Sequence, residues 1–99
     1  MHVTLTRVST GEQPIGTATI VAEEMHRWLR DLEGFKGFLM LSREGTTLAI
    51  TFWESAEAAA RHSTTRTQFR ERVASVADVQ IEEVLDYQVM FAHLGPLET

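Results

Sequence analysis

Cysteine is absent from these 99 residues, which excludes disulfides, thiolate nucleophiles and thiolate metal sites together and matches the usage of a reducing compartment. A cytoplasmic location is the expectation. No run approaches the roughly 18 consecutive apolar residues of a membrane span, and the first residues lack the basic, apolar, small order of a secretory signal. No membrane partner is expected. Basic residues are few and scattered: nine Lys and Arg against 14 Asp and Glu leave a net charge of −5 and a pI near 5.3, the wrong balance for gripping a phosphate backbone. Nucleic acid is not an expected partner. A phosphate-cradling glycine loop, a nucleophile elbow and a carboxylate pair at catalytic spacing are also missing, so hydrolase and kinase chemistry have no support.

What is present is a well-patterned chain with 43% apolar residues, enough for one core without staples. Residues 1–94 read as a single domain, and Gly95 and Pro96 open a short flexible tail over 95–99. Residues 2–9 alternate and are rich in β-branched side chains, with Val3 and Leu5 on one side and His2, Thr4, Thr6 and Val8 on the other: a first strand. Gly11, Pro14 and Gly16 punctuate a loop. Val21, Met25, Trp28 and Leu32 then recur at helical spacing, joined by Leu29, and Gly34 supplies a left-handed end. Residues 37–54 read as a hairpin about Glu44 and Gly45, which sets Leu39 opposite Ile50 and Leu41 opposite Leu48.

Ser55 caps a second helix with Glu57 in its first turn. Its apolar stripe runs through Ala58, His62, Thr65, Phe69, Val73 and Val76, and the weak helix formers Ser63, Thr64 and Thr65 invite a bend or break. Residues 79–92 alternate as a last strand, with Ile81, Leu85, Tyr87 and Phe91 on one side and Gln80, Glu82 and Asp86 on the other. The order is βαββαβ, the ferredoxin-like α+β arrangement: a four-stranded antiparallel sheet with two helices on one face.

Two helices cover one face only, and the hairpin is apolar on both. One side is purely aliphatic and aromatic, with Leu39, Leu41, Leu48, Ile50 and Phe52; this side is expected under the helices. The other mixes Phe38, Met40 and Trp53 with Thr47, Ala49 and Thr51, which is the composition of a lining. Each large side chain left wet forgoes about 1.5 to 3 kcal/mol, and four or five of them rival the stability of a whole domain. The expected remedy is a homodimer that closes two sheets into a barrel around a shared space.

The run Leu29 to Leu41, with Gly34, Phe35, Lys36, Gly37, Phe38 and Leu39 at its centre, resembles the helix-to-strand junction of the antibiotic biosynthesis monooxygenase family of dimeric α+β barrels. The run Leu48 to Ala59, where Ile50, Thr51, Phe52, Trp53, Glu54 and Ser55 lead into an Ala-rich helix, resembles the same family's later junction. The likeness reaches from the first strand to Phe91. It marks fold better than activity, because that superfamily includes cofactor-free oxygenases, haem-degrading enzymes and ligand sensors. It implies a cofactor-independent monooxygenase acting on an aromatic or polyphenolic small molecule in the barrel cavity. The alternatives are a non-enzymatic dimer that binds a small apolar ligand for transport or sensing, and a haem-binding or haem-degrading protein.

Under the leading reading no cofactor is expected. Trp53 stacks on the substrate, His62 takes a phenolic proton and Tyr87 donates a hydrogen bond, with Phe38, Met40, Thr4, Thr6 and Thr51 forming the rest of the substrate surface. The resemblance to haem-degrading relatives implies a Trp, His and Asn set. Trp53 and His62 match it, but the chain contains no asparagine and holds Thr4 or Thr6 at the first-strand position. Glu23 and His26 have the spacing of a carboxylate-bridged metal bundle but no matching pair on another helix, so no metal is expected. His2 and His93 have no partner at a recognisable spacing.

Overall fold

A computed structural model of the chain describes residues 1–9 and 15–95, and the side chains of all of these but 15–18, 76 and 77. The elements run β1 (His2–Ser9), α1 (Ile15–Leu29), β2 (Phe35–Arg43), β3 (Thr46–Trp53), α2 (Ala56–Arg61), α3 (Ser63–Ala77) and β4 (Gln80–Gln88). The four strands form one antiparallel sheet in the order β2-β3-β1-β4. This is the βαββαβ order with its second helix broken in two. Gly11 and Pro14 of the predicted loop, and the predicted tail beyond Gly95, lie outside the described residues. Gly16 does not belong to a loop, because α1 already begins at Ile15.

The hairpin has the expected register. Leu39 pairs with Ile50 and Leu41 with Leu48, and the turn residues Glu44 and Gly45 take φ of 43° and 81°, the left-handed pair that matches the twist of a two-residue hairpin. An irregularity between Phe35 and Gly37 shifts the alternation, so that Phe35, opposite Trp53, and Phe38, opposite Thr51, both turn toward the helices.

The assignment of faces, however, is reversed. Trp53 is wholly buried in a cluster with Leu29, Ala58 and Ala59, and Met25, Trp28, Leu32, Phe35 and Phe38 pack around it. Thr4, Thr6, Thr47, Ala49 and Thr51 are buried on the same side. The mixed face, with Phe38, Met40 and Trp53, therefore lies beneath the helices, and the greasier side of Leu39, Leu41, Leu48, Ile50 and Phe52 is the uncovered one. The reason is steric. Ala58 and Ala59 bring α2 close to the sheet, where small Thr and Ala side chains fit and a single indole fills the remaining volume.

The helix ends also differ from expectation. α1 stops at Leu29, and turns carry the chain to Gly34, which does adopt the left-handed conformation (φ 87°) and accepts a hydrogen bond from the Glu54 N–H at 2.8 Å. Ser55 caps α2 by accepting from the Ala58 N–H at 3.1 Å. The helix then breaks at His62 (φ −106°, ψ 13°), at the edge of the weak Ser63, Thr64, Thr65 run. Within the stripe Thr65 is exposed, and Arg66, four residues after His62, is buried in its place. β4 ends at Gln88, short of the predicted 92, and Met90 and Phe91 are exposed.

Candidate functional site

Even-numbered residues of β1 point toward the helices, so His2 and Thr4 stand side by side under α2 and α3. In register, Thr4 lies beside Asp86 of β4. The Thr4 hydroxyl donates to Asp86 Oδ1 at 2.7 Å, and His2 Nε2 lies 2.9 Å from the same oxygen. An ionised carboxylate can only accept, so the imidazole carries its hydrogen on Nε2 and keeps Nδ1 as its basic nitrogen. Burial pushes the Asp86 carboxyl upward, but the hydrogen bonds from His2 and Thr4, joined by the attraction of the neighbouring Arg66, outweigh it, and its pKa is held below the ordinary value.

Arg66 crosses over this group from α3. It donates from Nη1 to the Ala59 carbonyl and from Nη2 to the Thr4 hydroxyl, each at 2.8 Å, and its guanidinium lies 4.6 Å above the Trp53 ring. A chain of hydrogen bonds thus runs from Arg66 through Thr4 to Asp86 and back to His2. One helical turn further on, Arg70 faces the same space. Burial, then mutual repulsion, lowers the Arg66 pKa against the pull of Asp86; burial likewise lowers that of Arg70, against Asp86 and Glu71.

These residues line a cavity of about 370 Å³ between β1, β4, α2 and α3, walled by Ala56, Ala59 and Ala60 on one side and Val84 on another. That volume suits a small organic ligand. On the far side of Arg66, a void of about 30 Å³ lies among Thr6, Thr51, Trp28 and Phe69, room for a water or two. Arg66 and Arg70 line both spaces.

The residues singled out from the sequence are only partly brought together. Thr4 lines the larger cavity and Thr6 and Thr51 the smaller. Trp53 lies below Arg66 rather than open to a ligand: Phe35 meets its ring edge-on at 5.8 Å, His62 stands 5.9 Å away, and its indole N–H donates to Thr51 at 3.1 Å. Phe38 packs against the core and Met40 opposite Ala49, both away from the two spaces. His62 donates from Nε2 to the Glu33 carbonyl at 3.1 Å and lines neither space. Tyr87 lies on the opposite face of the sheet, beside Val3 and half exposed, so it cannot share a cavity with Thr4 or Trp53.

His2, Asp86 and Arg66 escape sequence reading because the hydrogen bonds that join them span 62 to 84 residues, and Arg70 because only the docking of α3 brings it to the same cavity. Two signals were there to be read. His2, Thr4 and Thr6 alternate on one side of a strand, and Arg66 and Arg70 share a helix face.

No protein-family model matches the chain, and no curated protein matches it in sequence. Solved structures do match in shape. An antibiotic biosynthesis monooxygenase candidate from Deinococcus radiodurans superposes with a TM-score of 0.71 at 16% identity, covering 99% of this chain and 100% of its own. SnoaB, a cofactor-independent oxygenase from Streptomyces nogalater, gives 0.67 at 15% identity, over 92% of this chain and 95% of its own. The monooxygenase ActVA-Orf6 of Streptomyces coelicolor, solved in complex with Nanaomycin D, gives 0.66 at 17% identity, over 96% and 92%. The chain therefore has the ferredoxin-like α+β fold of the antibiotic biosynthesis monooxygenase-like structures that are its neighbours.

Proposed function

We propose that the chain is a monooxygenase that oxidises an electron-rich phenolic small molecule in the cavity between its sheet and its helices. The observation that carries this reading is the His2–Asp86 pair at 2.9 Å on the wall of a 370 Å³ cavity: an imidazole oriented by a carboxylate, with its basic nitrogen left to take a proton. The named activities of SnoaB and ActVA-Orf6 support the reaction class.

The chemistry asks little of the protein. A phenol that loses its proton becomes electron-rich enough to reduce oxygen. A ring C–H becomes a C=O, one oxygen atom stays in the quinone product, the other leaves as water, and all four electrons come from the substrate. His2 Nδ1 accepts the phenolic proton, Asp86 holds the ring and stabilises its charged form, and the Ala56, Ala59 and Ala60 wall excludes water from one face of the substrate. Arg66 acts by holding Thr4 and hence Asp86. In this assignment His2 takes the part that sequence reading gave to His62. Trp53 supports Arg66 from below instead of stacking on the substrate.

A homodimer is part of the proposal. The uncovered sheet face is largely apolar, with Leu41 and Tyr87 half in solvent and the Arg7–Glu83 ion pair at one end, and a second copy is the simplest cover for it.

The test is to load the protein with a panel of phenols and naphthols without oxygen, then admit oxygen and follow its consumption. Turnover above the protein-free control is expected. His2→Ala should lower the rate by about 100-fold or more, while His62→Gln should leave it within a few-fold. A panel in which no compound consumes oxygen faster than the control overturns the reading.

A further inference from the structure

The two arginines of the cavity are not equivalent. Arg66 is fully committed: one amino group is on the Ala59 carbonyl, the other on the Thr4 hydroxyl, and its face is on Trp53. Arg70 is half-buried against the same cavity, yet among the described residues it makes no hydrogen bond and no ion pair within 4 Å. Asp86, the carboxylate facing it, already receives His2 and Thr4 on Oδ1. A guanidinium presents five N–H donors in a fixed fork, and Arg70 lines both spaces.

Charge limits what can bind there. Asp86 acts on both guanidiniums and Glu71 on Arg70 as well, in a chain whose net charge is −5. Burial lowers the pKa of both arginines, so each cation is held there at a cost that an incoming anion would relieve. With two carboxylates already acting on the guanidiniums, a ligand of one negative charge is accommodated more easily than a dianion. The methyl wall of Ala56, Ala59 and Ala60 beside the fork suits a flat apolar ring.

We propose that Arg70 is the anchor of a monoanionic aromatic ligand, binding its carboxylate through the guanidinium fork while the ring lies along the alanine wall. The substrate class is then an aromatic carboxylate. This rests on the preceding reading only in taking the same cavity as the working site, since the anchor requires no oxidation.

Isothermal titration without oxygen, at neutral pH and low salt, tests it with 2-naphthoate, its neutral isostere 2-naphthamide and 2-naphthyl phosphate as probes. The acid is expected to bind at least about tenfold more tightly than the amide, since a bidentate guanidinium–carboxylate pair replaces a neutral contact. The phosphate should be weaker than the acid. Arg70→Gln should erase the preference for the acid while leaving the amide affinity within a few-fold, and Arg70→Lys should keep part of it. Equal affinities of acid and amide in the unaltered protein, no binding of either at millimolar concentration, a phosphate tighter than the acid, or a preference that survives Arg70→Gln would each overturn the anchor. The comparison of acid with amide needs no variant, so a misfolded substitution does not spoil it. Absence of phenol oxidation leaves the anchor standing, and failure of the anchor leaves the oxygenase reading standing.

Discussion

Asp86 shows how much a single carboxylate organises here. Its Oδ1 receives both Thr4 and His2, and its folded pKa lies below the ordinary 3.8. A carboxyl depressed on folding contributes stability that is present above its unfolded pKa and is lost as pH falls through the folded value. The stability difference between the unaltered protein and Asp86→Asn should therefore be steady at neutral pH and shrink once pH drops below about 4, measured by urea unfolding at a series of pH values. A difference that persists undiminished into strong acid would show that Asp86 acts through packing alone. Arg66 is the second residue on which the site depends. Arg66→Ala leaves the Ala59 carbonyl and the Thr4 hydroxyl without their donor and uncovers Trp53, at a cost of about 2 to 3 kcal/mol. Arg66→Lys should recover a fraction of that, because an ammonium cannot reach both acceptors with a planar fork. Urea midpoints for the two variants, with near-ultraviolet circular dichroism reporting on the Trp53 surroundings, check both statements.

At the scale of elements, the junctions determine how closely the helices approach the sheet. Gly34 joins α1 to β2 with φ of 87°, and a methyl group there would stand 2.5 Å from the Ala58 Cβ at the start of α2. Gly34→Ala should cost about 2 to 4 kcal/mol, part from the backbone conformation and part from the clash. Adding Ala58→Gly should return the steric part and not the conformational part, which a double-mutant cycle of unfolding free energies separates. The break at His62 matters in the same way. The inward side of α3 is set by Arg66, Phe69 and Val73, and Phe69 stacks on Trp28 of α1 with ring centres 4.3 Å apart. The Ser63, Thr64, Thr65 run is a legible weak point in the sequence; that Arg66 and not Thr65 takes the inward position is not, since it depends on how α3 docks.

For the whole molecule, the consequential fact is a sheet with one face under helices and the other bare. The bare face carries Leu39, Leu41, Leu48, Ile50 and Phe52, and a second copy placed on it would give the dimer proposed above. Leu41→Glu should raise the dissociation constant of that dimer by about 100-fold or more, as expected for burying a charge where a leucine packed. Sedimentation velocity at micromolar concentration should then show a species of 11.2 kDa, against twice that expected for the proposed dimer of the unaltered protein. The cavity should be unaffected, because it opens on the other side of the sheet.

The chain's own pattern determines the order of elements, the hairpin register and the capping at Ser55. These are set by residues close in sequence: a period of two, a period near 3.6, and turn residues that tolerate positive φ. The pairing of His2 with Asp86, the placement of Arg66 and Arg70 over it, and the choice of which sheet face lies under the helices were decided only by tertiary structure. Alternation sorts side chains into two sets without saying which set is inside, and hydrophobicity alone points to the greasier one. The small residues of α2 and the single large Trp53 settled it the other way, because close packing rewards shape fit as well as apolar area.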